Sequence, residues 1–522
     1  MNFRPNCSVT ILVRSRGPTM KKHEILSPQS RAELFDPPRD PAAIVRHYTL
    51  SPDDLTLIRQ RRRDANRLGF AVHLAYLKFP GRVLGSEETP APEMLAFLAR
   101  QLGIESGAYL EYAQRDETRR EHLGEIQSHL RVRPFSRGDY RSVAEIATDE
   151  AIGTDRGHAI VAAMIETLRS RSILLPAPTI LERIGLAARA RARKQAHKNL
   201  IEGLEQRAIN ELQALIAVSD DRDRTRLAWL RDWREAPTQK NLVGVVERLQ
   251  FVRSLGVGPD REQRILRARY RAIAKETAIL SAQHLSRFDT PRRLAALVVF
   301  AREMEAILTD AALVMFDKML GGVYRRADRT YRENLFHRAK ALDASARALL
   351  HMAKAMLAAK ESGEDQDAAV ERSLGWERLK ALVAETDIVV TNTREDNLIE
   401  IVERYPTVRR MIPVLLNVFV FRSWKPNDLL LDALELLRGL HAARPRHLPQ
   451  RPPTAFLKAT WRKLVGRGST FDRRAYEVAV MMTLRDSLRS GDIWVEGSRA
   501  FRAFGDFLLP PETFVARRQE GE

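Results

Sequence analysis

The sequence predicts an all-α protein built as multi-domain helical bundles, with helix-turn-helix-like modules and little or no sheet. Three observations predict it. Apolar residues recur at three- and four-residue spacing along most of the chain. Strand-type alternation is rare, and only short pieces such as Ile493–Val495 have it. Caps and prolines recur where helices should begin, as in Ser27-Pro28 and Ser51-Pro52-Asp53-Asp54. At 522 residues the chain is too long for one core, so about three or four domains are expected.

Taken in order, Met1–Thr19 is expected to be a disordered extension preceding a start at Met20. A first helical domain is expected over 20–185. Within it, Asp54 to Leu84 joins an arginine cluster to an apolar run. Arg59, Arg61, Arg62, Arg63 and Arg67 fall within nine residues, with Asn66 among them. Leu68, Val72, Ala75 and Phe79 follow at helical spacing. Asp64 is expected to cap that helix and Pro80-Gly81 to stop it. Met94, Leu95, Leu98 and Leu102 form another stripe, ended by Gly103, and Thr118-Arg119-Arg120-Glu121 has the form of a capping box.

A long helix is expected from Pro178 towards Leu215, with Arg191, Arg193, Lys194 and Lys198 on it, opening a second helical region over 186–360. A second basic helix is expected across Arg261–Arg271, and an apolar one from Phe288 to Gly321-Gly322. Leu294–Ala301 and Ile412–Phe421 read as buried helix, each far shorter than the ~20 residues a membrane span needs. Glu361–Asp367 reads as an exposed acidic loop, followed by a helical region over 361–444. A proline-rich linker and a last helical segment are expected over 445–522.

The charge narrows the partners. Eighty-six Lys and Arg against 67 Asp and Glu leave +19, which fits a polyanionic partner. A cationic surface fixed on a packed helix suits a phosphate backbone. Arg61, Arg62, Arg63 and Arg67 are candidates for phosphate contact, as is Arg59. Asn66 has the donor and acceptor to read an adenine edge. Arg115, Arg119, Arg120, Arg131 and Arg133 are secondary DNA-binding candidates, and the 191–198 set is third. His73 and Tyr76 are open between core and contact. The single cysteine, Cys7, excludes an internal disulfide framework and a multi-cysteine zinc site, and suits a reducing cytoplasm.

Four stretches carry a resemblance: NRLGFAVHLAYLKFPGRVL (66–84), YAQRDETRREHLGEIQSHL (112–130), TDRGHAIVAAMIETLRSRSILLPAPTILERI (154–184) and the run from Phe471 to Pro510 with its GDIWV-GSR core. Together they resemble the N-terminal DNA-binding portion of replicative transposases of the Tn-three family, over nearly the whole chain from Met20. The resemblance implies sequence-specific binding of the terminal inverted repeats of a transposable element, with double-stranded DNA as partner. It also implies a homodimer that pairs two ends, no membrane, and a bacterial cytoplasmic, nucleoid-associated location. Family members are roughly twice this length. Two aspartates and a glutamate there hold two magnesium ions in an RNase H-like fold. Those acids are expected beyond GDIWV-GSR, so this chain reads as truncated, with no catalytic residue, metal ligand or cofactor assigned to it.

Other chemistry lacks its signature. There is no P-loop, HExxH or GxSxG, and the twelve histidines show no paired ligand spacing. Asp486 reads as a helix-surface acid and Asp492 as a turn residue, neither standing in for the family's carboxylates. The alternative reading is a catalytically inert helical scaffold binding RNA or protein. Aromatic residues at 7% without an RNP-like pattern speak against base stacking on a sheet.

Overall fold

A computed structural model describes residues 25–85, 87–112, 116–219, 222–391, 397–443, 447–466, 470–508 and 511–520. The expected extension at 1–19 and Arg115 lie outside them. The protein is all-α: among the described residues the sheet amounts to two antiparallel two-stranded pairs. The chain forms two compact units. One comprises Met1–Leu204, Asp260–Leu280 and His284–Val299; the other comprises Glu205–Pro259, Ser281–Gln283 and Phe300–Glu522.

The first unit is built around one buried helix, Asp64–Lys78. Every residue from Leu68 to Leu77 is buried, so the helix is enclosed on all sides rather than along one stripe. Helices Pro41–Tyr48, Pro52–Arg59, Pro92–Leu102 and Asp116–Leu130 surround it, through Ile44, Tyr48, Ile58, Met94, Leu98 and Ile126. The helix ends at Phe79, where Gly81 at φ +98° lets the Gly81 and Arg82 amides donate to the Tyr76 carbonyl at 2.9 and 3.2 Å. Gly69 is required for a different reason. A Cβ there would stand 2.1 Å from ring atoms of Tyr112, which lies directly on the helix backbone.

A second core lies among helices Arg137–Gly153, Gly157–Ser170 and Pro178–Ile201, together with Ile25, Leu26 and Phe35. Phe79 to Arg82 joins the two cores. Pro80 O accepts from Arg169 Nη2 at 2.8 Å, Gly81 O from the Leu175 amide at 2.8 Å, and Arg82 Nε donates to Phe35 O at 2.9 Å.

Several expected boundaries move. Asp64 is the first helical residue, not the cap; Arg63 holds the cap position with no side-chain cap bond. The helix through Thr118 begins at Asp116, so no capping box forms at Thr118. The long basic helix ends at Ile201, where Gly203 turns at φ +70°, and Gln206–Ala214 is a separate helix. The expected basic helix at Arg261–Arg271 is a 3-10 turn, Pro259–Arg264, followed by Arg267–Ile279. Two of its arginines are buried: Arg261 donates to Gly203 O at 3.1 Å, and Arg269 pairs with Asp155.

Thr290–Ser362 runs as one helix straight through Gly321-Gly322. Two glycines cost about 1 kcal/mol each in a helix. Buried Leu320, Val323 and Ala327 on either side offset that cost. Of the expected acidic loop only Gly363–Asp365 is outside a helix, and Asp365 caps Gln366–Ser373.

The second unit centres on helix Arg473–Ser490, buried continuously from Ala475 to Met482. It packs on Tyr405–Leu416, Leu429–Ala443 and Ala459–Val465. The buried run expected at Ile412–Phe421 leaves the helix at Leu416 and enters strand Phe421–Ser423, which pairs with Ile493–Val495 as Phe421–Val495, Arg422–Trp494 and Ser423–Ile493. The segment after that strand docks on the long helix. Asp310 Oδ1 accepts from Ser498 Oγ, the Arg499 amide and the Ala500 amide at 2.6, 2.9 and 3.2 Å. Arg499 grips Glu303 through both guanidinium nitrogens at 2.8 and 2.6 Å.

Gly69→Ala is expected to destabilise the first unit by about 1–3 kcal/mol, as overpacking a filled core does. Urea denaturation followed by circular dichroism checks it, against Gly107→Ala, where a Cβ meets nothing within 4 Å.

Candidate nucleic-acid interface

The arginine cluster sits on the turn that follows helix Pro52–Arg59, and the first turn of that helix is tied to two others. Ser51 and Asp54 close a capping box on helix Pro52–Arg59: the Asp54 amide donates to Ser51 Oγ at 3.2 Å and the Ser51 amide to Asp54 Oδ2 at 2.8 Å. The Asp54 carboxylate, 1% exposed, also takes Lys78 Nζ from the central helix and His129 Nε2, at 3.1 Å, from Asp116–Leu130. Three helices therefore meet on one carboxylate. Burial alone would raise its pKa; hydrogen bonds from Lys78, Ser51 and His129 outweigh burial and bring it down to about 2.

Within the turn, the Arg61 amide donates to Ile58 O at 3.1 Å and Arg67 Nε to Arg61 O at 2.9 Å. The Arg61 guanidinium is largely covered: it pairs with Glu125 at 2.8 Å and lies 5.1 Å over the Phe70 ring. Arg67 also pairs with Asp64 at 3.1 Å. These two arginines hold the turn. Arg59, Arg62 and Arg63 are exposed, and none has a side-chain partner among the described residues. Asn66 is partly exposed on the first helical turn. Because Arg63 gives no side-chain cap, the positive end of the central helix opens beside Arg62, Arg63 and Asn66. An anion placed there meets guanidinium groups, backbone N–H groups and the helix dipole together.

The secondary candidates divide in the same way. Arg119 donates to Leu84 O and Arg133 grips Asp139 through two bonds of 2.7 Å, so both are structural. Arg120 is exposed, and Arg131 ends its helix exposed at φ +52°. On Pro178–Ile201, Arg193 pairs with Asp155 at 3.0 Å. Arg191, Lys194 and Lys198 form an exposed stripe opposite buried Ala188, Ala192 and Ala196. His73 and Tyr76 belong to the core, and Lys78 is tied to Asp54. Sequence reasoning missed the exposed Arg325, Arg326 and Arg329, because it stopped their helix at Gly321-Gly322. It also missed Arg409, Arg410 and Arg474, which come together from two helices distant in sequence.

Asp486, Asp492 and Glu496 each have another partner and do not converge on one another. Asp486 pairs with Arg485 at 3.5 Å, Asp492 accepts from Ser490 Oγ at 2.6 Å, and Glu496 pairs with Arg422 at 3.0 Å. Among the described residues no three His, Cys, Asp or Glu side chains gather as a metal site, and no helix is long and apolar enough to cross a membrane.

A family model described as a domain of unknown function (DUF4158) matches residues 25–188, which contain the arginine turn. The transposase for transposon Tn21 of Escherichia coli is 37% identical over 505 residues, 96% of this chain and 51% of that protein. The transposase for transposon Tn3926 of Escherichia coli is 36% identical over 503 residues, with the same shares covered. The transposase for transposon Tn501 of Pseudomonas aeruginosa is 34% identical over 502 residues, again 96% and 51%. The chain's homologues are transposases of the Tn-three family. The chain spans about half the length of the curated relatives it matches.

The depressed Asp54 pKa carries a stability prediction. The folded value lies below the unfolded one of about 3.9, so the stabilisation is present above about pH 4 and is lost as pH falls towards 2. The shift is worth about 2 kcal/mol. Asp54→Ala is therefore expected to unfold more easily at pH 7, with the gap from wild type narrowing by pH 2–3 in a pH series of urea midpoints.

Proposed function

We propose that this chain binds double-stranded DNA at the terminal inverted repeats of a transposable element and so serves DNA transposition, paired with a second copy that holds the other end. The observation that carries the reading is the arginine turn: Arg59, Arg62 and Arg63 stand unpaired among the described residues, on a backbone fixed by Asp54, Arg61 and Arg67. The net charge of +19 and the likeness to transposases support it. Arg62 and Arg63 contact phosphates, with the opened helix end supplying further donors. Asn66, one helical turn inward, is placed for a base edge. Arg120, Arg131 and the Arg191, Lys194 and Lys198 stripe extend the cationic surface along the backbone.

The test is an anisotropy titration against inverted-repeat and scrambled duplexes across salt. Wild type is expected to favour the repeat with a steep salt slope. Arg62→Ala/Arg63→Ala is expected to flatten the slope by about 2 for both duplexes, since each phosphate contact contributes about 0.9. Asn66→Ala is expected to narrow the preference for the repeat while leaving the slope in place. A slope unchanged in the double variant, or RNA that competes better than the duplex, contradicts the reading.

A further inference from the structure

The second unit holds a cavity of roughly 1000 Å³ between helices Tyr405–Leu416 and Leu429–Ala443 and the start of Arg473–Ser490. Arg409 and Arg410 enter it from the first of these helices, and Arg473 and Arg474 from the last. Its inner wall is organised by Glu477, which is fully buried. That carboxylate accepts from Tyr405 Oη at 3.1 Å, His441 Nε2 at 3.1 Å and Arg473 Nε at 2.7 Å. Burial opposes its ionisation, but the His441 and Arg473 hydrogen bonds hold its pKa below the usual carboxylate value.

The remaining arginines have no such use. Arg473 is anchored on Glu477, whereas Arg409, Arg410 and Arg474 make no ion pair among the described residues. Arg474 lies 6.0 Å over the Tyr405 ring, and the Arg410 backbone carbonyl accepts from Gln239 Nε2 at 3.0 Å. Two acids line the cavity, and one of them is engaged: Asp472 caps the last helix, accepting from the Arg474 and Ala475 amides at 2.8 and 3.1 Å. Guanidinium groups facing one concavity repel each other, and an entering anion relieves that repulsion. Their planar forks match the oxygens of a phosphate group.

We infer that this cavity is a phosphate-binding site, with Arg409, Arg410 and Arg474 as its anion ligands and the Glu477 cluster as its rigid wall. Two sources present that chemistry: a phosphodiester of a nucleic-acid backbone, and a free phosphate compound. The site is separate from the arginine turn and does not require the inverted-repeat reading.

The test uses the full chain and the variant Arg409→Ala/Arg410→Ala. Both side chains are exposed, so folding is expected to be preserved, and a circular dichroism melt checks it. A charge-matched control, Lys425→Ala/Lys458→Ala, removes two exposed lysines elsewhere in the same unit. Two probes are titrated: duplex DNA across salt, and inorganic pyrophosphate by calorimetry. A duplex salt slope flattened by about 2 in the cavity variant and not in the control supports the site and assigns a backbone phosphate. Pyrophosphate affinity reduced at least tenfold in the cavity variant alone supports the site and assigns a free phosphate compound. A cavity variant matching the control with both probes overturns the inference. The salt slope of Arg62→Ala/Arg63→Ala and the repeat preference of Asn66→Ala report on the turn alone and leave this result untouched.

Discussion

The arrangement of the first unit depends on a carboxylate that water barely reaches. Asp54 carries a negative charge inside a protein whose surface is strongly positive. An unpaired charge there would be costly. Lys78, His129 and the Ser51 amide surround it, so the same bonds that make burial tolerable draw three helices to one point. The consequence reaches the surface a few residues away. The connection between Pro52–Arg59 and Asp64–Lys78 follows the helix that Asp54 anchors, and Arg61 and Arg67 fix its middle. Arginines on such a turn lose little further freedom on meeting an anion, which favours binding.

The same use of acids recurs. Glu125 holds Arg61, Asp139 holds Arg133, Asp155 holds Arg193 and Arg269, and in the second unit Asp310 and Glu477 anchor the segments around them. Carboxylates thus engage the arginines and loop donors that build the fold. What distinguishes Arg59, Arg62 and Arg63, or Arg409, Arg410 and Arg474, is that these pairings do not include them. Charge count alone cannot separate the two classes of arginine, whereas the geometry does.

The fold class was legible because helical periodicity is a local property, and Ser27, Ser51 and Gly103 end their helices as their residue types dictate. The Ile493–Val495 strand was legible for the same reason, though its partner at Phe421–Ser423 was not. Gly321-Gly322 misled because burial of Leu320 and Val323 overrides glycine's weak helix propensity. At the site, the cluster was visible in sequence but its division was not. Arg61 pairs with Glu125 and Arg119 with the Leu84 carbonyl across long stretches of chain, and no local pattern announces such partners. Asn66 to Leu84, one of the stretches that carry the resemblance to transposases, is chiefly core and junction. Its likeness to them reflects the central helix more than the exposed arginine turn.

The central claim is that the buried Asp54 clamp presents the arginine turn to DNA, and one measurement addresses it most directly. Asp54→Asn keeps the side chain's shape, removes its charge and alters no residue placed against DNA. Its affinity for inverted-repeat duplex, measured at a temperature where circular dichroism shows it folded, is predicted to fall about tenfold with every exposed arginine intact. Affinity equal to wild type in that folded variant would contradict the account.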